Sequence, residues 1–383
     1  MERDKSIYVI VFIVTVLMAV YFILGHFRMM DDGFQYEGFT ESAARGDIDF
    51  KSFYGFQGLS FFAIPIFLLT HSHNSIIFTS IIFVLLSISI IYICARDLYQ
   101  SERAGIYGII LFLLMPYSYT TLMRGFQEAA LTFFIILIIL GSLNKKSWTP
   151  LSWAVGGIVK PFALVLLPLF AKGFLSNNSG KTWSQKILWI FTALLFGVVY
   201  LGTSYYQTGH LINNAAINSY QGNFNTGSPP PLTESFTIGI KGYLRVGANL
   251  FLSFRKIIIS PLVIILGAIS LLFGKNLKLK KEMILAIVFN FILVGSLTFS
   301  FSKYLIPAVI IFALLAIPLI ENRKWLMWLV FADSITVFIP IWKFFGNNFW
   351  SNLHVYLLPF WLAIALFVFY EYIFRKYYFN TNS

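Results

Sequence analysis

Just after its first long apolar run, Ile7 to Gly25, the chain reads Arg28-Met29-Met30-Asp31-Asp32-Gly33-Phe34-Gln35-Tyr36. Two adjacent carboxylates at a membrane–water boundary repel each other, so ionising both there is disfavoured. A partly desolvated carboxylate suits a general base that takes a proton from a hydroxyl or an amine. The same pair could instead belong to an acidic loop that helps set orientation, or Asp31 could cap a helix. Glu128 is the second candidate. It lies at the start of the apolar run 126–143, where an ionisable group is costly and points to function. The competing role is a surface pairing with Arg124, one helical turn earlier.

A leaving phosphate needs fixed cations beside it. Eleven Lys and Arg residues lie outside the basic clusters that separate the apolar runs: Arg28, Arg45, Lys51, Arg124, Lys160, Lys241, Arg245, Arg255, Lys256, Lys303 and Lys343. Lys160 precedes Pro161 inside the broken run 148–171, and Lys303 opens Lys303-Tyr304-Leu305-Ile306-Pro307. Either could hold a phosphate headgroup; the plainer alternative is a lysine snorkelling from a helix end, which suits Lys343, Arg255 and Lys256. Tyr205, Tyr206, Tyr220 and Tyr243 could stack on sugar rings, though interfacial belts are their simpler role. His71 and His73 have no familiar zinc spacing, and Asp47-Ile48-Asp49 is a three-residue match to a metal-binding pattern of sugar transferases. No Walker-type phosphate loop and no serine-in-glycines elbow is present. A catalytic metal is not expected, and no cofactor is required.

The elements that position these residues follow from composition. In 383 residues, 58% are apolar, 19% aromatic and only 11% charged, against ~25% charged in ordinary soluble chains. So few charges cannot cover a water-facing surface, which excludes a soluble globular protein. A lone cysteine, Cys94, excludes a disulfide-stapled domain. The net charge of +12 does not signal nucleic acid, because the basic residues sit in clusters between apolar runs, as cytoplasmic loops do.

Runs long enough to be spans cover 7–25, 75–95, 104–122, 126–143, 187–206, 257–273, 282–300, 303–320, 325–344 and 355–374. The segments 59–70 and 148–171 are short or broken. Twelve helical residues reach only ~18 Å of a ~30 Å hydrocarbon core. If 59–70 lies along the outer interface and 148–171 dips in and returns at Lys160-Pro161, then Arg96, Arg103, Lys145 and Lys146 stay inside. Letting both segments cross once would export them, against the orientation bias. The expected fold is therefore an all-α polytopic membrane protein of about 11–12 transmembrane segments, both termini cytoplasmic. It forms a single integral membrane domain, 1–383, with long outer loops at 26–74 and 207–256. The first loop holds Asp31, Asp32, Glu37, Glu41, Asp47 and Asp49, six of the sixteen acids in the chain.

Taken in order, these features resemble the polytopic GT-C fold glycosyltransferases that use a lipid-phosphate-linked sugar, closest to the protein O-mannosyltransferase and aminoarabinose-transferase branch. The resemblance covers roughly residues 1–175 and a short stretch near Lys303. Asp31-Asp32 with Tyr36 is similar to the family's acidic pair after span one, followed by Ala43-Ala44 and Gly46. Phe53 to Thr70 with Pro65 resembles its interfacial helix. Glu102-Arg103-Ala104-Gly105 through Pro116 to Glu128 is similar to its third and fourth spans. Gly156-Gly157-Ile158-Val159-Lys160-Pro161 through Pro168 resembles its broken hairpin, and Lys303-Tyr304-Leu305-Ile306-Pro307 its late Arg-Tyr-Leu-x-x-Pro element, with Lys for Arg.

The resemblance implies a catalytic core in 1–175, with the remaining spans in 187–383. It implies transfer of one sugar from a polyprenyl phosphate to a glycan, lipid or protein acceptor at the outer face of a prokaryotic plasma membrane, as in cell-envelope polysaccharide or lipopolysaccharide modification. Asp31 or Asp32 would be the base of an inverting displacement. Lys303, Lys160 and Arg245 or Arg124 would stabilise the departing phosphate, with Glu128 and Tyr36 completing the binding site. The competing functions are an O-antigen or exopolysaccharide polymerase or ligase, and a lipid-linked sugar transporter or flippase.

Overall fold

Long apolar runs offer the backbone no partner but itself, and a helix satisfies each N–H and C=O within one segment. The computed structural model describes residues 29, 31–49, 57–115, 125–175, 183–209, 260–274, 277–295 and 302–338. Among these the chain is all-helical, with no strand. The helices are α1 (Asp31–Ala44), α2 (Gly58–Thr70), α3 (Ser75–Tyr99), α4 (Glu102–Leu113), α5 (Glu128–Leu143), α6 (Thr149–Val159), α7 (Leu167–Leu175), α8 (Trp183–Thr208), α9 (Pro261–Phe273), α10 (Lys280–Gly295), α11 (Ile306–Asn322) and α12 (Lys324–Phe338). Two 3-10 turns, Pro161–Leu166 and Ser302–Leu305, precede α7 and α11.

Two described helices are long and apolar enough to cross a membrane: α3, and Ile187–Gln207 within α8. Within the expected spans 126–143, 257–273, 282–300, 303–320 and 325–344, the described residues hold helices of 13 to 17 residues, and 257–259, 296–300 and 339–344 lie outside the described residues. The run 104–122 is helical from Glu102 to Leu113, and its remainder from 116, like the runs 7–25 and 355–374 and most of the loop 207–256, lies outside the described residues. Helix α1 lies in the first outer loop, 26–74, where interfacial helices are expected. Its segment is polar and holds two glycines, so apolar periodicity does not mark it; it gains its order by packing on α2 and α3.

The core is built around α5 and α11, which are apolar on every side, as centrally placed helices are. Ile135, Ile136, Ile138 and Ile139 of α5 and Ile311, Leu314, Leu315 and Ile317 of α11 are fully buried. Helix α3 packs on α4 and α5, and α11 on α9, α4 and α10. At the α9–α11 crossing the backbones nearly touch: a methyl on Gly267 would lie 2.4 Å from the Phe312 carbonyl oxygen. The outward faces of α3 (Phe78, Ile82, Leu85, Leu86) and α8 (Leu188, Phe191, Leu195, Val198) are exposed and apolar. Contiguous faces of that kind mark a surface that meets something other than water.

Residues 149–175 form a hairpin. Proline lacks an N–H and drives the residue before it out of the helical region; Lys160 is accordingly extended (φ −162°, ψ 133°) and Pro161 opens the 3-10 turn. Both ends of the hairpin return to the C-terminal end of α5. A methyl on Gly141 would lie 2.5 Å from Thr149 Oγ1, and one on Gly173 would lie 2.5 Å from Ser142 Cα. Between the arms Trp153 stacks on Phe170, with centroids 5.2 Å apart.

Helix α2 has both ends at the opposite end of the bundle. Gly58 abuts Val159 beside the hairpin tip, and beyond Thr70 the chain re-enters α3 at Ser75, next to α1. A polar seam joins α1 and α2: Ser60 Oγ donates to the Tyr36 carbonyl at 3.0 Å, and Thr40 Oγ1 to the Ser60 carbonyl at 3.4 Å.

Basic residues crowd one end of the bundle, with Asp97, Glu282 and Glu321 among them. At the α5 C-terminal end, Asn144 Nδ2 donates to Asp97 Oδ2 at 2.8 Å and Lys278 Nζ to the Asp97 carbonyl at 3.3 Å. There Ser101 Oγ donates to Glu321 at 2.9 Å, and Lys172 pairs with Glu282 at 3.9 Å. The connections at that end carry Arg96, Arg103, Lys145, Lys146, Lys280, Lys281, Arg323 and Lys324. The other end holds α1 with its acids, Glu128 and the hairpin tip.

Candidate functional site

Three stretches far apart in the chain meet at the acid-rich end. Glu128, the first residue of α5, is 1% exposed and forms an ion pair with Lys160 at the hairpin tip. The Lys160 ammonium also lies 5.4 Å from the Tyr304 ring centroid. Tyr304 in turn stacks on Phe162, two residues beyond Lys160, at 4.6 Å and 15°. A carboxylate at the first turn of a helix is favoured by the helix dipole, and a desolvated cation over an aromatic face gains ~2 kcal/mol. Those interactions offset the several kcal/mol that burying each ion costs.

Lys303 sits in the same 3-10 turn as Tyr304. Asn290 of α10 holds that turn. Its Nδ2 donates to the Tyr304 carbonyl at 3.0 Å, and its Oδ1 accepts from Ala308 N–H at 3.3 Å. The second bond satisfies one of the unpaired donors in the first turn of α11; Pro307, one residue earlier, has no N–H to satisfy.

The acidic pair is brought alongside. Asp31 and Asp32 open α1, and the next residue, Gly33, meets the bend that leads into α5. At Gly125 the backbone has φ +82°, and a methyl there would lie 2.8 Å from Ile76 Cγ2 and 3.8 Å from Gly33 Cα. Only glycine suits that bend, for its sign of φ and for the close approach.

Glu37, unmarked in the sequence beyond its membership of the acidic loop, is the residue that pins α1. It is 4% exposed. Ser75 Oγ donates to Glu37 Oε1 at 2.5 Å and Ile76 N–H to Oε2 at 2.7 Å, so the carboxylate closes the N-terminus of α3. Burial pushes its carboxyl above the usual range, against the two hydrogen bonds that favour ionisation. One turn on, Glu41 pairs with Arg45 at 3.6 Å and with His73 Nδ1 at 2.5 Å. That hydrogen bond raises the His73 imidazole above its ordinary value. The i, i+4 spacing of Glu37, Glu41 and Arg45 was the signal available for this ladder. For Asn290 the signal was one amide in the otherwise apolar stretch Met283–Leu293.

Of the other expected residues, Tyr36 is buried in the main core. Arg124 and Arg245 lie outside the described residues. Glu128 has Lys160, at the hairpin tip, as a described partner. Beside it, Gln127 Nε2 and Thr132 Oγ1 are buried without a hydrogen-bond partner among the described residues. Buried donors of that kind fall to water or a ligand to satisfy. No group of three or more metal-ligating side chains occurs among the described residues. The chain matches no protein-family model, no curated protein and no solved structure.

Two outcomes follow. Removing one ion of the pair leaves the other buried and uncompensated, which costs about 3–5 kcal/mol. Lys160→Met and Glu128→Leu should each lower the melting temperature of the detergent-solubilised protein, and the double variant should lose less than the two single losses added. For Glu37, a folded-state pKa above the unfolded one means that its contribution to stability is full below ~4.5 and is lost as pH rises through the folded value. Denaturation between pH 4 and 8 should show that decline, and Glu37→Gln should flatten it.

Proposed function

We propose that this chain is a polytopic membrane glycosyltransferase that moves a sugar from a polyprenyl monophosphate to an acceptor hydroxyl or amine. The observation that carries the reading is the meeting of Glu128, Lys160 and Tyr304 beside the helix that Asp31 and Asp32 open. Three further features support it. Most of the described basic residues collect at one end of the bundle, as the orientation bias of a bilayer protein favours. The exposed apolar faces of α3 and α8 suit lipid. The unpaired buried donors of Gln127 and Thr132 suit a ligand rich in hydroxyl groups.

In this reading the acid-rich end faces outward from a prokaryotic plasma membrane, both termini are cytoplasmic, the hairpin is re-entrant and α2 lies at the outer interface. One carboxylate of Asp31-Asp32 takes the proton from the acceptor O–H or N–H. The freed electron pair attacks the anomeric carbon from the face opposite the phosphate, the bond from that carbon to the bridging phosphate oxygen breaks, and the polyprenyl phosphate monoester leaves with that bond's electrons. The sugar is inverted. Lys160 already shares its charge with Glu128, so the pair acts on the phosphate as an oriented dipole, and Lys303 in the neighbouring turn supplies the net positive charge. Lysine does so as a point charge, without the bidentate grip of arginine. In a poorly hydrated pocket such fixed charges act strongly on the developing phosphate charge.

Purified protein incubated with radiolabelled polyprenyl-phosphate sugars, in membranes that supply acceptors, should pass label to a non-lipid or lipid product. Asp31→Asn or Asp32→Asn should reduce that transfer by about 100-fold or more, the scale of a lost general base, with insertion intact. Wild-type transfer by both variants would remove the base assignment. Orientation is checked separately. With Cys94 replaced, a cysteine at 145 should resist a membrane-impermeant thiol reagent in intact cells, and labelling there would reverse the assignment of ends.

A further inference from the structure

We propose that Asn290 is a positioning residue that sets the phosphate-facing cations, acting through the Lys303-Tyr304 turn; this rests on the reading of the site given above. Asn290 is fully buried on α10, whose stretch Met283–Leu293 is otherwise apolar. An amide there is costly to bury unless every polar atom is used for something. Asn290 spends both its groups on one turn. The donor end fixes the Tyr304 carbonyl, and the acceptor end fixes Ala308 N–H. The turn between them therefore cannot rotate or slide without breaking a buried hydrogen bond.

What that turn carries is the reason for the clamp. The Tyr304 ring underlies Lys160 and stacks on Phe162, so the place of the ring sets the height of the hairpin tip. Lys303 is the residue before Tyr304 in the same turn. A shift of the turn moves both lysines together relative to Glu128 at the α5 N-terminus. Leucine is close to asparagine in volume but can make neither bond. Aspartate as a carboxylate keeps the acceptor and lacks the donor, and in its protonated form it has both. The two substitutions thus separate filling the space from holding the turn.

Two measurements test this. The first is a thermal-denaturation cycle with Asn290→Leu, Lys160→Met and the double variant, which does not depend on any substrate. Coupling through the turn predicts that the Asn290→Leu loss in melting temperature shrinks once Lys160 is gone; additive losses would overturn the proposal. The second uses undecaprenyl phosphate in nanodiscs as the probe. Asn290→Leu should weaken its binding by about tenfold, and Asn290→Asp should be weak at pH 8 and recover most of the wild-type affinity as pH is lowered and its carboxyl takes up a proton. The wild type serves as the control for pH. Unchanged affinity in both variants, or equal loss in Asn290→Asp at every pH, would sink the positioning role. If the wild type does not bind the probe at all, the polyprenyl-phosphate donor fails, and the denaturation cycle alone decides for or against Asn290.

Discussion

The contact on which the described structure turns is a buried ion pair, Glu128 with Lys160. Either charge alone in an apolar bundle would be worth several kcal/mol of destabilisation. Together they tie two features that would otherwise be independent, the N-terminus of a central helix and the tip of a hairpin that stops short of running on as a helix. The pair explains why the hairpin can be broken there. Pro161 removes an N–H and turns the chain, and a turn in apolar surroundings must be held by side chains rather than by the helix ladder. Lys160 does that by reaching across to α5, and Tyr304 gives its ammonium a second partner.

From this pair the site extends in two directions, and each extension is held by a buried polar group. On one side Asn290 holds the turn under Lys160. On the other, Glu37 holds α1 against the start of α3, and Ile76, whose N–H it binds, packs against the Gly125 bend. The layer made by α1 and α2 is thus fastened to the bundle at one end, beside the helix start that carries Asp31 and Asp32. Packing alone would leave α1 weakly specified, since its sequence has little apolar periodicity; the carboxylate of Glu37 supplies the specificity that burial area does not.

Much of this could be read in the residues. Pro161 after a basic residue, in a run too long for one short helix and too broken for a straight one, foretold the reversal at Lys160. The placement of Arg96, Arg103, Lys145 and Lys146 foretold which end of the bundle they share. The acid at the head of α5 stood out because apolar runs seldom begin that way. What the residues could not say is that Glu128 meets Lys160, since a lysine 32 positions away gives no signal in one dimension. Glu37 and Asn290 were hidden for a related reason. Their partners lie in other segments and are backbone groups, Ser75 Oγ excepted, and backbone groups carry no residue identity to search for.

The proposed chemistry has to place an anionic phosphate at the end of the molecule that is richest in acids, and the structure suggests how those acids are quieted. Glu128 is matched by Lys160, and Glu41 by Arg45 and His73. Glu37 is engaged by a hydroxyl and an N–H, in a buried setting that disfavours its charge. Each of these acids is already committed to holding the fold, so none presents an isolated negative charge to an incoming phosphate. In the proposed reaction the charges at the head of α1 then serve the acceptor, and Lys303 serves the leaving group. The ion pair between them keeps the two in register without adding net charge of its own. A site arranged this way separates proton removal from phosphate stabilisation in space, which an in-line displacement requires, since base and leaving group must lie on opposite faces of the sugar.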